Sequence, residues 1–319
     1  MIKNYAKNLT KCVSPNIITY YTEYKVKVKG TQSKYKIVGG IVTYNSSIDD
    51  VKSTVKSFFS CTLPVYLIIV DNNSVNGYLD KLRIAIEKEM RNEGINIRFI
   101  QNRQNRGYGF AHNIAIKNAP ECEYYLVLNP DVYFDKGVLE ELYNFMEENK
   151  DVGLVMPKVL YPNGEIQYLC KLLPTPLDLF GRRFLNFGPF KKLIEKRNEI
   201  YELRFTGYDK IMEVPYLSGC FMFIRTEVLK KVGLFDERFF MYFEDTDLSR
   251  RIHRVAKTIY YPYVYVYHKY GKGSYRSLKL LYYHIKSAIK YFNKYGFFFD
   301  KERDEINKRI LKNLGWYNS

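Results

Sequence analysis

The sequence predicts an α/β fold with a mostly parallel sheet flanked by helices and a helical C-terminal appendage. Three observations predict it. From Tyr35 to Met156, short apolar runs alternate with helix-spaced segments, which is the rhythm of βαβ units. Each run ends in a small polar cluster, and ligands in such sheets bind beyond the carboxyl ends of the strands. From Leu278 one long amphipathic pattern takes over.

The elements follow in order. Residues 36–43 (KIVGGIVT) read as a buried strand, and 48–60 as a helix with Ile48, Val51, Val55, Phe58 and Phe59 at helical spacing. Residues 65–70 (VYLIIV) form a second strand, ending in Asp71, Asn72, Asn73 and Ser74, a loop of cap-forming residues. A helix over 79–91 carries Leu79, Leu82, Ile86 and Met90 on one side. The alternation at 95–100 predicts a strand, and a glycine-containing turn leads into a helix over 107–118. Residues 124–128 are the next strand, 137–149 a helix and 153–156 a strand.

After Pro157 the rhythm changes. Residues 161–164 (YPNG) are a turn signal, and 171–212 read as irregular. An apolar run at 219–224 precedes helices near 227–232 and over 244–254. Strand-like pieces lie at 258–261 and 264–267. Beyond them, Leu278, Leu281, Tyr282, Ile285, Ile289 and Phe292 mark one helix face, with Lys279, Lys286, Lys290 and Lys294 largely off it. That pattern suits an interfacial membrane helix and equally a helix packed on the domain.

Charge is unevenly placed. The chain has 319 residues and a net charge of +16; residues 1–36 carry +7, 269–319 carry +8, and the middle only +1. Basic flanks suit anionic lipid headgroups or nucleic acid, and also plain solubility. The 46% apolar and 17% aromatic content excludes disorder over most of the length. Cys12, Cys61, Cys122, Cys170 and Cys220 are odd in number and scattered, which predicts neither a disulfide framework nor a zinc site and fits a reducing compartment. The first residues lack the apolar run of a secretory signal, and no run approaches the ~20 apolar residues that span a bilayer.

Five clusters carry possible chemistry. Asn129, Pro130 and Asp131 follow a strand; the carboxylate can hold Mg²⁺ or Mn²⁺ on a diphosphate, or serve an ordinary turn. Asp71 can accept from a ribose or base, or cap the next helix. Residues 105–113 (NRGYGFAHN) hold small residues at Gly107, Gly109 and Ala111, which permit close approach of a ligand or another strand. This is not the dinucleotide fingerprint, and no P-loop is present. Glu244, Asp245 and Asp247 follow an aromatic run; apolar neighbours raise a carboxylate towards neutrality, where it can take a proton from a sugar hydroxyl. Asp247 and Arg251, four apart, are expected to pair, leaving Glu244 and Asp245 for substrate. The fifth is His268 at a strand end, followed by Lys269, Gly271, Lys272 and Gly273; a neutral imidazole suits Mn²⁺.

In this order the pieces resemble glycosyltransferase family 2 with its GT-A fold, and most of all its rhamnosyltransferase-like bacterial branch. The matching segments are VTYN (42–45), VDNNS (70–74), NRGYGFAHN (105–113), LNPD (128–131), SGCFMFIR (218–225), GLFDERFFMYFEDTDLSRR (233–251) and the strand ending in His268. The resemblance implies that Thr43, Tyr44 and Asn45 line the base pocket and that Asp71 contacts base or ribose. Asn105, Gly107 and Asn113 would shape the nucleotide wall. Asp131 would be the metal-binding acid, with Asn129 in place of the first acid of the family's Asp-x-Asp motif, and His268 a second ligand. Asp245 would be the general base and Glu244 would orient the acceptor.

The resemblance further implies an inverting transferase that moves a sugar, dTDP-rhamnose being the favoured donor, onto a hydroxyl of a saccharide acceptor. A polyprenyl-diphosphate-linked saccharide would account for the basic flanks. The expected divisions are a basic extension at 1–36, a transferase domain at 37–274 and a basic amphipathic helical region at 275–319. Residues 37–156 of that domain would bind nucleotide sugar, and 157–274 the acceptor. The expected place is the inner face of the cytoplasmic membrane, bound peripherally. Two alternatives stay open: a UDP-sugar-dependent transferase on the same fold, and a basic nucleic-acid-binding protein. The second is disfavoured because the charge lies outside the α/β core and no nucleic-acid module matches.

Overall fold

The computed structural model describes residues 12–14, 17–22, 35–91, 93–184, 188, 191–269 and 277–316. Most of the basic extension at 1–36 therefore lies outside the described residues, as do Gly271, Lys272 and Gly273. The strands are β1 (Cys12–Ser14), β2 (Ile17–Thr22), β3 (Tyr35–Thr43), β4 (Val65–Asp71), β5 (Ile97–Gln101), β6 (Cys122–Leu128), β7 (Val132–Tyr133), β8 (Val152–Leu160), β9 (Cys170–Lys171), β10 (Met212–Glu213), β11 (Tyr216–Leu217), β12 (Phe221–Arg225) and β13 (Lys257–His268). The helices are α1 (Ile48–Phe59), α2 (Tyr78–Glu89), α3 (Tyr108–Lys117), α4 (Val138–Glu148), α5 (Pro176–Phe184), α6 (Lys191–Tyr201), α7 (Thr226–Val232), α8 (Glu244–His253), α9 (Leu278–Tyr295) and α10 (Lys301–Asn313).

One sheet runs β1-β2-β5-β4-β3-β6-β12-β8-β13-β10, with β7 on β13. Its nucleotide half, β5-β4-β3-β6, is parallel, because each strand is followed by a crossover helix. β3, β4 and β6 are buried on both faces, which is why they read as unbroken runs, while the edge-ward β5 alternates. Their register pairs Thr43 with Asp71, Asp71 with Gln101, and Ile41 with Leu128. The polar residues that follow each strand thus share one edge of the sheet.

β12 runs antiparallel between β6 and β8. β13 then lies parallel to β8 and antiparallel to β7, where His268 faces Val132. That last register carries His268 to the loop that ends β6.

Two sequence readings change. Residues 171–212 are largely helical, with α5, α6 and a 3₁₀ turn at Arg204–Thr206. Along α6 only Ile194 and Tyr201 are buried, spaced among Lys, Arg and Glu, so no apolar stripe marks that helix in the sequence. The two pieces at 258–261 and 264–267 are one strand, whose register shifts between Tyr261 and Tyr265, around Pro262. The expected helical appendage comprises, among the described residues, α9 and α10, and along α10 only Ile306, Ile310 and Leu311 are buried apolar residues.

Among the described residues, no helix is long and apolar enough to cross a membrane. Among the described residues, Cys61, Cys122, Cys170 and Cys220 form no disulfide.

Candidate active site

Asn129 and Asp131 sit in the loop that ends β6. Asn129 accepts from the Tyr108 hydroxyl at 2.8 Å, and its amide nitrogen is 3.3 Å from His268 Nε2. Asp131 Oδ1 is 3.5 Å from the same Nε2. Gln167 sets the ring. Its Nε2 donates to the carbonyls of His268 (2.7 Å) and Leu160 (3.3 Å), so its Oε1 is the acceptor that His268 Nδ1 meets at 3.0 Å. Nδ1 therefore carries a proton, and Nε2 is turned to Asn129 and Asp131. Burial pushes the His268 imidazolium down in pKa, but neighbouring Cys220 and Asp131 outweigh it and raise the group to about 10. Once Nε2 gives up the proton that this environment favours, Asp131 and His268 offer one hard oxygen and one imidazole nitrogen, a pair that fits a divalent ion whose shell a diphosphate completes. Among the described residues, no cluster of three or more His, Cys, Asp or Glu could hold a metal alone.

The second group lies at the start of α8. Tyr242 and Phe243 both have φ of 69°, left-handed values that cost a non-glycine residue about 1–3 kcal/mol each. Packing holds them: Phe243 is buried with Phe239, Ala288, Tyr291 and Phe292, and the Ser287 hydroxyl donates to the Met241 carbonyl. The turn delivers Glu244 and Asp245 to a cavity of about 880 Å³ that Asn129, Tyr108 and His268 also line.

The two carboxylates differ. Asp245 Oδ2 accepts from the Gly219 N–H (2.9 Å) and the Tyr216 hydroxyl (3.3 Å), and Oδ1 from the Thr246 N–H (2.8 Å). Glu244 is 5% exposed, and its Oε2 has no hydrogen-bond partner among the described residues. Burial, and then the charge of Asp245, hold the Glu244 carboxyl well above the usual carboxylate range.

A family model described as glycosyl transferase family 2 matches residues 40–233, more than half of the chain. The chain belongs to glycosyl transferase family 2. It is similar to the N-acetylglucosaminyl-diphospho-decaprenol L-rhamnosyltransferase of Mycobacterium tuberculosis, with 26% identity over 216 residues, 64% of this chain and 66% of the relative. The match thus spans just under two thirds of that relative's length. Rhamnosyltransferase WbbL of Escherichia coli is 26% identical over 63% of this chain and 76% of its own. Among solved structures, the mannosyltransferase PcManGT from Pyrobaculum calidifontis in complex with GDP-Man and Mn²⁺ aligns with a TM-score of 0.52 at 17% identity, covering 81% of this chain and 65% of that one. TarS 1–349 of S. aureus aligns at 0.53 and 20%, covering 89% and 72%. These likenesses show the GT-A fold.

In this member of family 2, Glu244, Asp245, Asn129 and His268 line one cavity, and Asp131 lies 3.5 Å from His268 without lining it. The other expected residues stand on the neighbouring sheet edge. Tyr44 is exposed. Asn45 ties two loops together: its N–H donates to Ser74 Oγ at 2.7 Å and its Oδ1 accepts from the Val75 N–H. Asp71 has no exposed surface, and accepts from the Thr43 hydroxyl and from the Ser74 hydroxyl and N–H. Its expected contact with a base or ribose is therefore not preformed, and its carboxylate organises the 71–74 turn.

Asn105 Oδ1 accepts from Asn72 and from the Gly107 N–H. Gly107 (φ 105°) lies against the Phe240 carbonyl, which a Cβ would meet at 2.1 Å, and the Tyr108 N–H donates to that carbonyl. Asn113 exchanges hydrogen bonds with the Phe235 backbone. The small residues of NRGYGFAHN thus bring α3 against the 235–240 loop. The Asp247–Arg251 pair forms as expected, at 2.8 Å. Sequence reasoning missed Tyr108, Tyr216 and Gln167. Tyr108 lies within a motif already singled out, while Gln167 and Tyr216 lie in short stretches with no periodicity to mark them.

Proposed function

We propose that this glycosyltransferase moves a sugar from a nucleoside diphosphate to a hydroxyl of a saccharide acceptor, with inversion at the anomeric carbon. The favoured donor is dTDP-rhamnose, and the favoured acceptor is a lipid-linked saccharide, as the names of two relatives suggest. The observation that carries the reading is one cavity that joins the Asn129–His268 contact, with Asp131 beside it, to the paired acids of α8.

Asp245 is the proposed base. Gly219, Tyr216 and Thr246 fix its carboxylate, which accepts the acceptor's hydroxyl proton as that oxygen attacks the anomeric carbon. Glu244, kept neutral by burial, donates a hydrogen bond to the acceptor. Asp131 and His268 would hold a divalent ion, Mn²⁺ or Mg²⁺. When bound, that ion offsets the charge that develops on the leaving diphosphate. Asn129 orients His268 and leaves the site one charge short of two acids. Tyr44 and Asn45 border the nucleotide, with Thr43, Asp71, Asn105, Gly107 and Asn113 shaping the edge beneath it.

One base and one leaving group suffice for a single displacement, so inversion follows without a covalent intermediate. Incubating the purified chain with a panel of nucleotide sugars, Mn²⁺ or Mg²⁺ and saccharide acceptors tests the reading, with anomeric configuration read by NMR. Transfer from dTDP-rhamnose with inverted configuration is expected. Retained configuration sinks the mechanism, and turnover of UDP-sugars alone moves the donor assignment to them.

A further inference from the structure

Past residue 233, where the family match ends, the chain adds a wall to the cavity. α9 lines it with Leu281, His284, Ile285 and Ala288, and α5, which lies within the matched span, continues it with Leu179 and Phe180. The polar acids lie beside this wall, because Met241, Tyr242 and Phe243 join it to Glu244. A sugar hydroxyl and its ring need polar partners, and an apolar wall of this extent answers to a different part of a substrate.

The apolar surface continues out of the cavity. Leu278, Tyr282 and Ile289 are 85%, 58% and 43% exposed. They stand three or four residues from Leu281 and Ile285, so one stripe on α9 leads from the cavity to the outside. Lys279 and Lys286 lie on the same helix beside it, and Lys171 lines the cavity with its ammonium over the Tyr216 ring. Of the acids that line the cavity, Asp178 pairs with Arg197 and Glu202 with Arg204. An apolar stripe flanked by cations complements a hydrocarbon that ends in an anionic group.

We infer that α9 and α5 seat the isoprenoid chain of a polyprenyl-diphosphate carrier whose sugar is the acceptor, so that α9 selects carrier-linked over free saccharide. This deepens the proposed function and rests on it. The diphosphate falls towards Lys171 and the lysines of α9, and the hydrocarbon runs along Leu281, Ile285, Leu278 and Tyr282 to the surface.

The test compares binding of farnesyl diphosphate with isopentenyl diphosphate, titrated against the full chain by calorimetry, with dTDP titrated in parallel. Farnesyl carries two more isoprene units, and partial burial of their carbons gives ~10-fold or tighter binding. Leu281→Asp and Ile285→Asp each bring the ratio towards one. Leu278→Asp, at an 85% exposed position that leaves the core intact, lowers the ratio several-fold. Ile84→Asp, an exposed position on α2, keeps it. Equal affinity of wild type for the two diphosphates overturns the inference, as does an unchanged ratio in all three α9 variants. Failure to bind dTDP or to hydrolyse any nucleotide sugar overturns the proposed function instead, and leaves a chain-length preference standing as lipid binding.

Discussion

Glu244 and Asp245 are adjacent, and only one of them is surrounded by donors. Asp245 receives hydrogen bonds from Gly219, Tyr216 and Thr246, while Glu244 Oε2 receives none among the described residues. A base must be ionised and a neutral acid need not be, so the amide of each predicts a different result. Asp245→Asn is expected to lose transfer by ~10²–10⁴-fold, the usual worth of a positioned base. Glu244→Gln, which preserves a neutral donor of the same shape, is expected to stay within ~10-fold in steady-state assays. The reverse ranking would exchange their roles. Stability gives a second reading. The folded pKa of Glu244 lies above its ordinary value of 4.5, so its contribution is fully present below pH 4.5 and is lost as pH rises towards the folded value. Glu244→Gln removes that loss. Its gain in denaturation midpoint over wild type should be larger at pH 8 than at pH 4, and equal gains would count against the raised pKa. The aromatic run before Glu244 announced a raised carboxylate in the sequence. Which acid it would be was not legible, because that depends on the two left-handed residues, Tyr242 and Phe243, that turn one side chain inward and the other towards Gly219.

α9 shows what periodicity reveals about an element and what it leaves out. The spacing of Leu278, Leu281, Tyr282, Ile285, Ile289 and Phe292 marked a helix, and the helix is there. The four lysines looked alike in sequence, yet tertiary contacts separate them. Lys294 bonds Asp236 and the fully buried Asp247, and Lys290 donates to the Arg238 carbonyl. Lys279 and Lys286 are the pair available to a surface. If the chain binds anionic liposomes at low salt, Lys279→Glu with Lys286→Glu should weaken binding, and added salt should weaken the wild type, since exposed charges are screened over ~10 Å at 0.1 M. Lys294→Glu should instead lower the thermal midpoint, because it sets two carboxylates against a third. Liposome binding that is insensitive to both charge reversal and salt would remove the electrostatic part of the membrane proposal. The central strands were readable for the opposite reason: β3, β4 and β6 are buried on both faces, so each is a continuous apolar run set by its own residues. The strands β1 and β2 were not, because they owe their place to pairing at the β5 edge.

At the scale of the whole chain, the two last helices fasten the helix that bears the proposed catalytic acids. Arg250 of α8 is 1% exposed and makes paired hydrogen bonds to Asp300 at 2.6 and 2.7 Å, with further contacts to Glu302 and Tyr291. One turn earlier, Asp247 accepts from Tyr295 of α9 and pairs with Lys294. Ile306, Ile310 and Leu311 of α10 belong to the same apolar core as the central strands. α8 is thus gripped from the side away from the cavity, while Phe243 and Ser287 hold the strained turn that starts it. Asp300 also caps α10 through the Arg303 N–H. Removing it strands a buried guanidinium and uncaps a helix together. Breaking a buried pair from one side costs about 3–5 kcal/mol, and Glu302, partly exposed, retains some of the charge balance. Asp300→Ala is therefore expected at the lower end of that range in urea denaturation. Glu305→Ala, which removes an exposed partner of Lys301 on the same helix, should leave the midpoint unchanged. A cost for Asp300→Ala as small as that of Glu305→Ala would mean that Arg250 is held by Glu302 and water instead. The larger cost would mean that a chain cut at residue 276 loses the support of its proposed acids along with its tail, because that support comes from residues the family match does not reach.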